Sequence, residues 1–159
     1  MDSFSVVCDG DDFTRKLFAM AEFHEWHQYG INYLDGNATT LLIKYLICAY
    51  PPVISVVKNI LLVCESEIDH TDSDGYTALM HAAINYTTPV EVFTLFIEMG
   101  ANVNMLSKRT GWNALCWALY HEHPLAVIRV LCEAGANVNN LNCDGSTVFY
   151  WINKDRESF

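Results

Sequence analysis

The chain has 159 residues, 52% of them hydrophobic and 18% charged, which is one domain's length with apolar surface enough for a continuous core and excludes a disordered chain. Nineteen acidic residues against nine basic ones leave a net charge of −10. With no cluster of Lys and Arg to track a phosphate backbone, nucleic acid is not an expected partner, whereas a basic protein surface would be favoured on encounter. No apolar run reaches the roughly 18 residues that span a bilayer; the longest, from Leu41 to Tyr50, is broken by Lys44 and ended by Pro51-Pro52.

Residues 1–12 are acidic and aperiodic, without the basic start of a secretory signal, and are expected to form a loose leader. An intracellular chain, in cytoplasm or nucleus, is the expectation. Over 13–34 the pattern turns helical: Phe13, Leu17, Phe18, Met20, Ala21, Phe23 and Trp26 recur at three- and four-residue steps, and Gly30 stops them. This stretch is predicted to be an amphipathic helix that caps the first repeat. The six cysteines show no C-x-x-C spacing, which argues for reduced thiols and against a zinc knuckle.

From residue 35 the chain repeats itself. Asp74-Gly75-Tyr76-Thr77-Ala78-Leu79-Met80-His81-Ala82-Ala83 is answered by Gly111-Trp112-Asn113-Ala114-Leu115-Cys116-Trp117-Ala118-Leu119. Gly100-Ala101-Asn102-Val103-Asn104 is answered, 35 residues on, by Gly135-Ala136-Asn137-Val138-Asn139. Units are expected at about 35–71, 72–107 and 108–141, with a half-unit over 142–159. In the first, Lys44 faces outward and Tyr45 and Leu46 inward, because the other register buries Lys44 unpaired. Thr77 and Asn113 stand where a helix cap is needed. Pro51, Pro52, Pro89 and Pro124 fall where second helices start.

A fixed period of this size marks a stacked repeat, and the unit resembles the ankyrin repeat. The resemblance implies an all-α solenoid of helix-turn-helix units with projecting loops, or fingers, and a non-enzymatic module that holds a protein partner on its concave face. None of the units carries the family's usual Thr-Pro-Leu-His; the openings read Thr40-Leu41-Leu42-Ile43, Thr77-Ala78-Leu79-Met80, Asn113-Ala114-Leu115-Cys116 and Thr147-Val148-Phe149-Tyr150. The missing histidine implies less rigid fingers. The irregular openings also resemble ankyrin proteins of large DNA viruses and intracellular bacteria, which would make the chain a host-directed effector.

The repeat register implies which side chains face a partner. On the fingers these are Ser73, Asp74, Tyr76, Arg109 and Trp112; at the ends of the first helices they are Ile84, Asn85, Tyr120 and His121. Aromatic residues with Arg suit an interface. Trp117 and Trp151, five residues beyond the finger position, could serve either core or surface. Two roles are open for the module: an inhibitor resembling the inhibitors of NF-κB, covering a basic segment of its target, or an adaptor that recruits substrates to a ubiquitin ligase or other machinery. Asn104 and Asn139 are expected to bond the backbone of the return turns, and the resemblance adds that such asparagines can be hydroxylated.

Catalytic alternatives are weaker. His24 and His27 share a helix face but lack a third ligand. Adjacent residues in His121-Glu122-His123 point apart. Cys116 with His81, or Cys8, would need an activating base held by an orienting partner. No catalytic residue, metal ligand or cofactor is expected.

Overall fold

Thr40, Thr77 and Asn113 start helices in the same way. Each side chain accepts a hydrogen bond from the backbone N–H three residues on, at Ile43 (3.3 Å), Met80 (3.2 Å) and Cys116 (3.0 Å). Such bonds satisfy amide groups that a helix start otherwise leaves without partners. The computed structural model describes residues 40–63 and 68–156. The expected leader and the capping helix lie outside the described residues.

Among the described residues are seven helices: α1 (Leu41–Cys48), α2 (Ile54–Val63), α3 (Ala78–Ile84), α4 (Val90–Glu98), α5 (Ala114–Tyr120), α6 (Leu125–Glu133) and α7 (Val148–Arg156). Pro89 and Pro124 immediately precede α4 and α6, where a missing amide hydrogen costs nothing. The odd-numbered helices pack side by side as one layer, and α2, α4 and α6 form a second layer against them. Between the layers lie Tyr45, Leu46, Val57, Ile60, Leu79, Met80, Phe93, Phe96, Leu115 and Leu131, all buried. Burial of each such side chain is worth about 1.5–3 kcal/mol, and no single helix pair could supply that cover alone. Met80 and Cys116, which replace the polar residue of the family's opening motif, join this buried interior.

Three fingers precede α3, α5 and α7. Their bases close by equivalent backbone bonds: Asp72 N–H to Tyr76 O (3.0 Å), Ser107 N–H to Trp112 O (3.0 Å) and Asn142 N–H to Ser146 O (2.8 Å). The middle finger therefore holds one residue more than its neighbours. Asp72 and Asn142 each brace their finger with one side-chain oxygen that accepts two backbone amides. In the longer finger that task is split: Ser107 Oγ accepts from Thr110 N–H and Thr110 Oγ1 from Trp112 N–H. Successive fingers are bonded together, Arg109 N–H to Asp74 O at 3.2 Å and Cys143 N–H to Thr110 O at 3.0 Å. The approach is close enough that a Cβ on Gly75 would stand 2.5 Å from Lys108 N, and Gly75 also has φ +82°. Only glycine fits there.

The inter-helix turns also reach back one repeat. Asn85, 3% exposed, donates from Nδ2 to the carbonyls of Leu46 (3.2 Å) and Ala49 (2.7 Å) at the end of α1. His123, 6% exposed, bonds through Nε2 to Ala83 O at 3.0 Å near the end of α3. Both supply partners to carbonyls that a helix C-terminus leaves open. The return turns are joined by Asn104, whose Nδ2 donates to Gly135 O (2.9 Å) and whose Oδ1 accepts from Asn137 N–H (2.8 Å). The expected backbone bonding of this asparagine is thus made across two repeats. The Asn139 side chain makes no hydrogen bond among the described residues.

Asn104→Ala is expected to lower unfolding stability by about 1–2 kcal/mol through the loss of two inter-repeat bonds, while Asn139→Ala changes it by less than about 0.5 kcal/mol; urea unfolding of the two variants measures the contrast. Stability should also depend on pH. Burial holds the imidazoles of His81, His121 and His123 below their ordinary protonation range; for His81 this prevails over the opposing bond from Asp72, and for His123 over the bond to Ala83. Below the ordinary imidazole value of about 6.5, the unfolded chain binds protons that the folded chain does not. Stability is therefore complete above that pH and falls as the pH drops through the lowered folded values. The urea midpoint should decrease between pH 7 and pH 5.5, and less so in His123→Gln.

Candidate partner-binding face

The fingers and the ends of α3 and α5 carry the expected partner-facing residues, and the structure divides them. Ser73, Asp74 and Arg109 are exposed on the fingers. Ile84, Tyr120 and His121 are half-buried at the helix ends. Tyr76, Trp112 and Asn85 are 9%, 5% and 3% exposed, so the expectation that they present free side chains to a partner is corrected. The reasons are local. The carbonyls of Tyr76 and Trp112 close the bases of their fingers, and both rings pack on Trp117 of α5, at centroid distances of 5.8 and 4.9 Å. A large ring gains more by covering that surface than by standing in water. Asn85 is occupied by the α1 carbonyls and by Thr87, whose N–H and hydroxyl both donate to its Oδ1.

Trp117 is the centre of an aromatic cluster. Trp112 meets it edge-on at 73°, Tyr120 stands 6.2 Å away at 87°, and the His121 ring lies almost parallel to it at 5.8 Å and 20°. Trp112 and Tyr120 are 5.4 Å apart. The cluster opens into a groove of about 420 Å³ between the two later fingers. Helix α5 contributes Trp117 and Tyr120, and α7 contributes Trp151; Arg109, Thr110 and Trp112 come from the middle finger, and Asn142, Cys143 and Asp144 from the last. Trp117 and Trp151 each stand six residues after the glycine of their finger, Gly111 and Gly145, so they occupy equivalent places one repeat apart. That spacing is the signal in the chain that pairs Trp151 with Trp117; the sequence leaves Trp151 open between core and surface and does not mark Asp144 as a groove residue. Among the described residues the indole N–H groups of Trp112, Trp117 and Trp151 are buried without a hydrogen-bond partner.

Charge around the groove is mixed and mostly at the surface. Arg109 stands 3.6 Å from Asp74, with both side chains more than half exposed, a pairing that contributes little to stability but sets the charge pattern of the rim.

Where they are described, the histidines and cysteines of the alternative chemistries are held apart or buried. His121 stacks on Trp117 while His123 turns inward to Ala83, so the two do not converge on one ion. Among the described residues no group of three or more His, Cys, Asp or Glu is placed to hold a metal. Burial pushes the Cys116 thiol up, opposite to the depression that makes a thiolate nucleophile. His81 has an orienting partner in Asp72 at 2.8 Å, but among the described residues it makes no hydrogen bond with the Cys116 thiol. His24, His27 and Cys8 lie outside the described residues.

Comparison with known proteins agrees with the repeat geometry. A family model described as ankyrin repeats (3 copies) matches residues 45–142, more than half of the chain. The ankyrin repeat and SAM domain-containing protein 6 of Rattus norvegicus is 31% identical over 94 residues, which cover 59% of this chain and 10% of that protein. The match thus spans about a tenth of that relative's length. With its capped helix pairs, stacked fingers and asparagine-linked return turns, this chain belongs to the ankyrin-repeat family.

Proposed function

We propose that this chain acts without catalysis, inside the cell, by holding a protein partner against the fingers and odd-numbered helices of its second and third repeats and the groove beside them. The observation that carries this proposal is the aromatic groove lined by exposed Arg109, with exposed Ser73 and Asp74 on the preceding finger. Rigid aromatic surface with charged residues at its rim is the make-up of binding hot spots, and a net charge of −10 favours a basic segment on the partner. Covering that segment would make the chain an inhibitor of its partner; an adaptor role would need a second docking site for the machinery served.

Because Trp112 is core, Trp112→Ala is expected to cost about 3–5 kcal/mol and cannot serve as a surface probe. The informative variant is Ser73→Arg with Asp74→Lys, both on an exposed finger. Affinity capture from eukaryotic lysate, with mass spectrometry and circular dichroism alongside, should show a partner retained by the parent chain and lost from this folded variant. The captured partner's affinity should also fall as salt screens the charges. Equal capture by both chains would place the binding surface elsewhere.

A further inference from the structure

Aromatic rings at steep angles to one another line the groove, with one face of Trp117 covered by the stacked His121 ring. Trp112 and Trp117 meet at 73° and Trp117 and Tyr120 at 87°, so neighbouring walls stand nearly at right angles, and Trp151 comes to the same groove from α7. Indole faces attract cations, and aromatic cages select those with weak hydration. Trp151 already carries one within the chain: Lys154 Nζ is 4.8 Å from its ring centroid, although Lys154 does not line the groove.

The polar atoms of the lining narrow the choice of cation. Thr110 O accepts from Cys143 N–H, and Asn142 O from Gly145 N–H. Asn142 Oδ1 already accepts from Asp144 and Ser146, Thr110 Oγ1 accepts from Trp112, and Arg109 O is within reach of the Cys143 thiol at 3.5 Å. The charged groups of the lining are the exposed carboxylate of Asp144, whose Oδ2 accepts from Asn142 Nδ2 at 3.4 Å, and the guanidinium of Arg109, which is drawn to Asp74 on the preceding finger at 3.6 Å. A primary ammonium brings three N–H donors and a tight hydration shell, which this lining cannot replace. A trimethylammonium brings the same charge and no donor. The buried indole N–H of Trp112, on a side chain 5% exposed, has no partner among the described residues, and an acceptor on the flanking peptide backbone would suit it and its neighbours.

Resting on the protein-partner proposal above, we propose that this groove receives a methylated lysine side chain of the partner, with Trp117, Trp151 and Tyr120 as walls and Asp144 as counter-charge.

The test uses the full chain, labelled with ¹⁵N, and three capped probes: the acetyl amide of trimethyl-lysine, that of lysine, and the uncharged tert-butyl isostere. Saturable shifts of the tryptophan indole N–H signals are expected with the trimethyl probe, at least about tenfold tighter than with the other two, in line with the strength of desolvated cation–π contacts. Trp151→Ala should abolish them. Asp144→Asn, on an exposed finger where folding is not at stake, should weaken binding several-fold. No binding of any probe, equal binding of all three, or binding unaffected by both variants overturns the proposal. Partner capture sensitive to the Ser73→Arg, Asp74→Lys variant, together with no trimethyl-lysine binding, overturns the cage and leaves the protein-partner proposal standing.

Discussion

Asn85 and His123 reach out of their own repeats to carbonyls at the end of the first helix of the preceding repeat, Leu46 and Ala49 in one case and Ala83 in the other. A buried helix end with open carbonyls would cost more than a hydrogen bond returns. Each repeat therefore depends on the next one to finish it. Asn104 repeats the device on the opposite edge, between return turns, and the backbone bonds from finger to finger do so a third time. Stacking here is more than burial of apolar faces, because the polar accounting of one repeat closes only when its neighbour is in place.

That dependence positions the groove. The fingers approach so closely that Gly75 has no room for a Cβ beside Lys108, which holds the middle finger against its neighbour. The middle finger is one residue longer than the others, and its Ser107–Thr110 bracing sets Trp112 over α5 rather than in solvent. Trp117 and Trp151 then fall one repeat apart on the same surface. The aromatic groove is thus a by-product of finger length and repeat register together.

Much of this was legible in the chain. The paired Gly-Ala-Asn-Val-Asn stretches, the capping positions Thr77 and Asn113 and the prolines at second-helix starts depend on local conformational preference, and local rules carry them. The inward turn of Tyr45 and Leu46 follows from the cost of burying Lys44 unpaired, and the structure agrees. The site was less legible. Tyr76 and Trp112 look like finger aromatics free for a partner because the register places them on loops, and only the packing partner, Trp117, decides otherwise. Nothing within a few positions of His123 gives its imidazole a partner; a carbonyl of another repeat, Ala83 O, does.

The sequence by itself determined the period, the helix starts, the family and the acidic character of the surface, since each is set by residues within a few positions of one another or by composition. Tertiary structure alone decided which aromatics are core and which wall a groove, which asparagine is tied down, and that Asp144 shares a groove with Trp117 and Trp151. Several of those contacts join residues a repeat apart, Asn104 with Gly135 and Asn137 at 31 and 33 positions and Tyr76 with Trp117 at 41. Their outcome depends on how far one repeat is displaced from the next, and that displacement is fixed by the close packing of fingers and helices and not by any one repeat's residues.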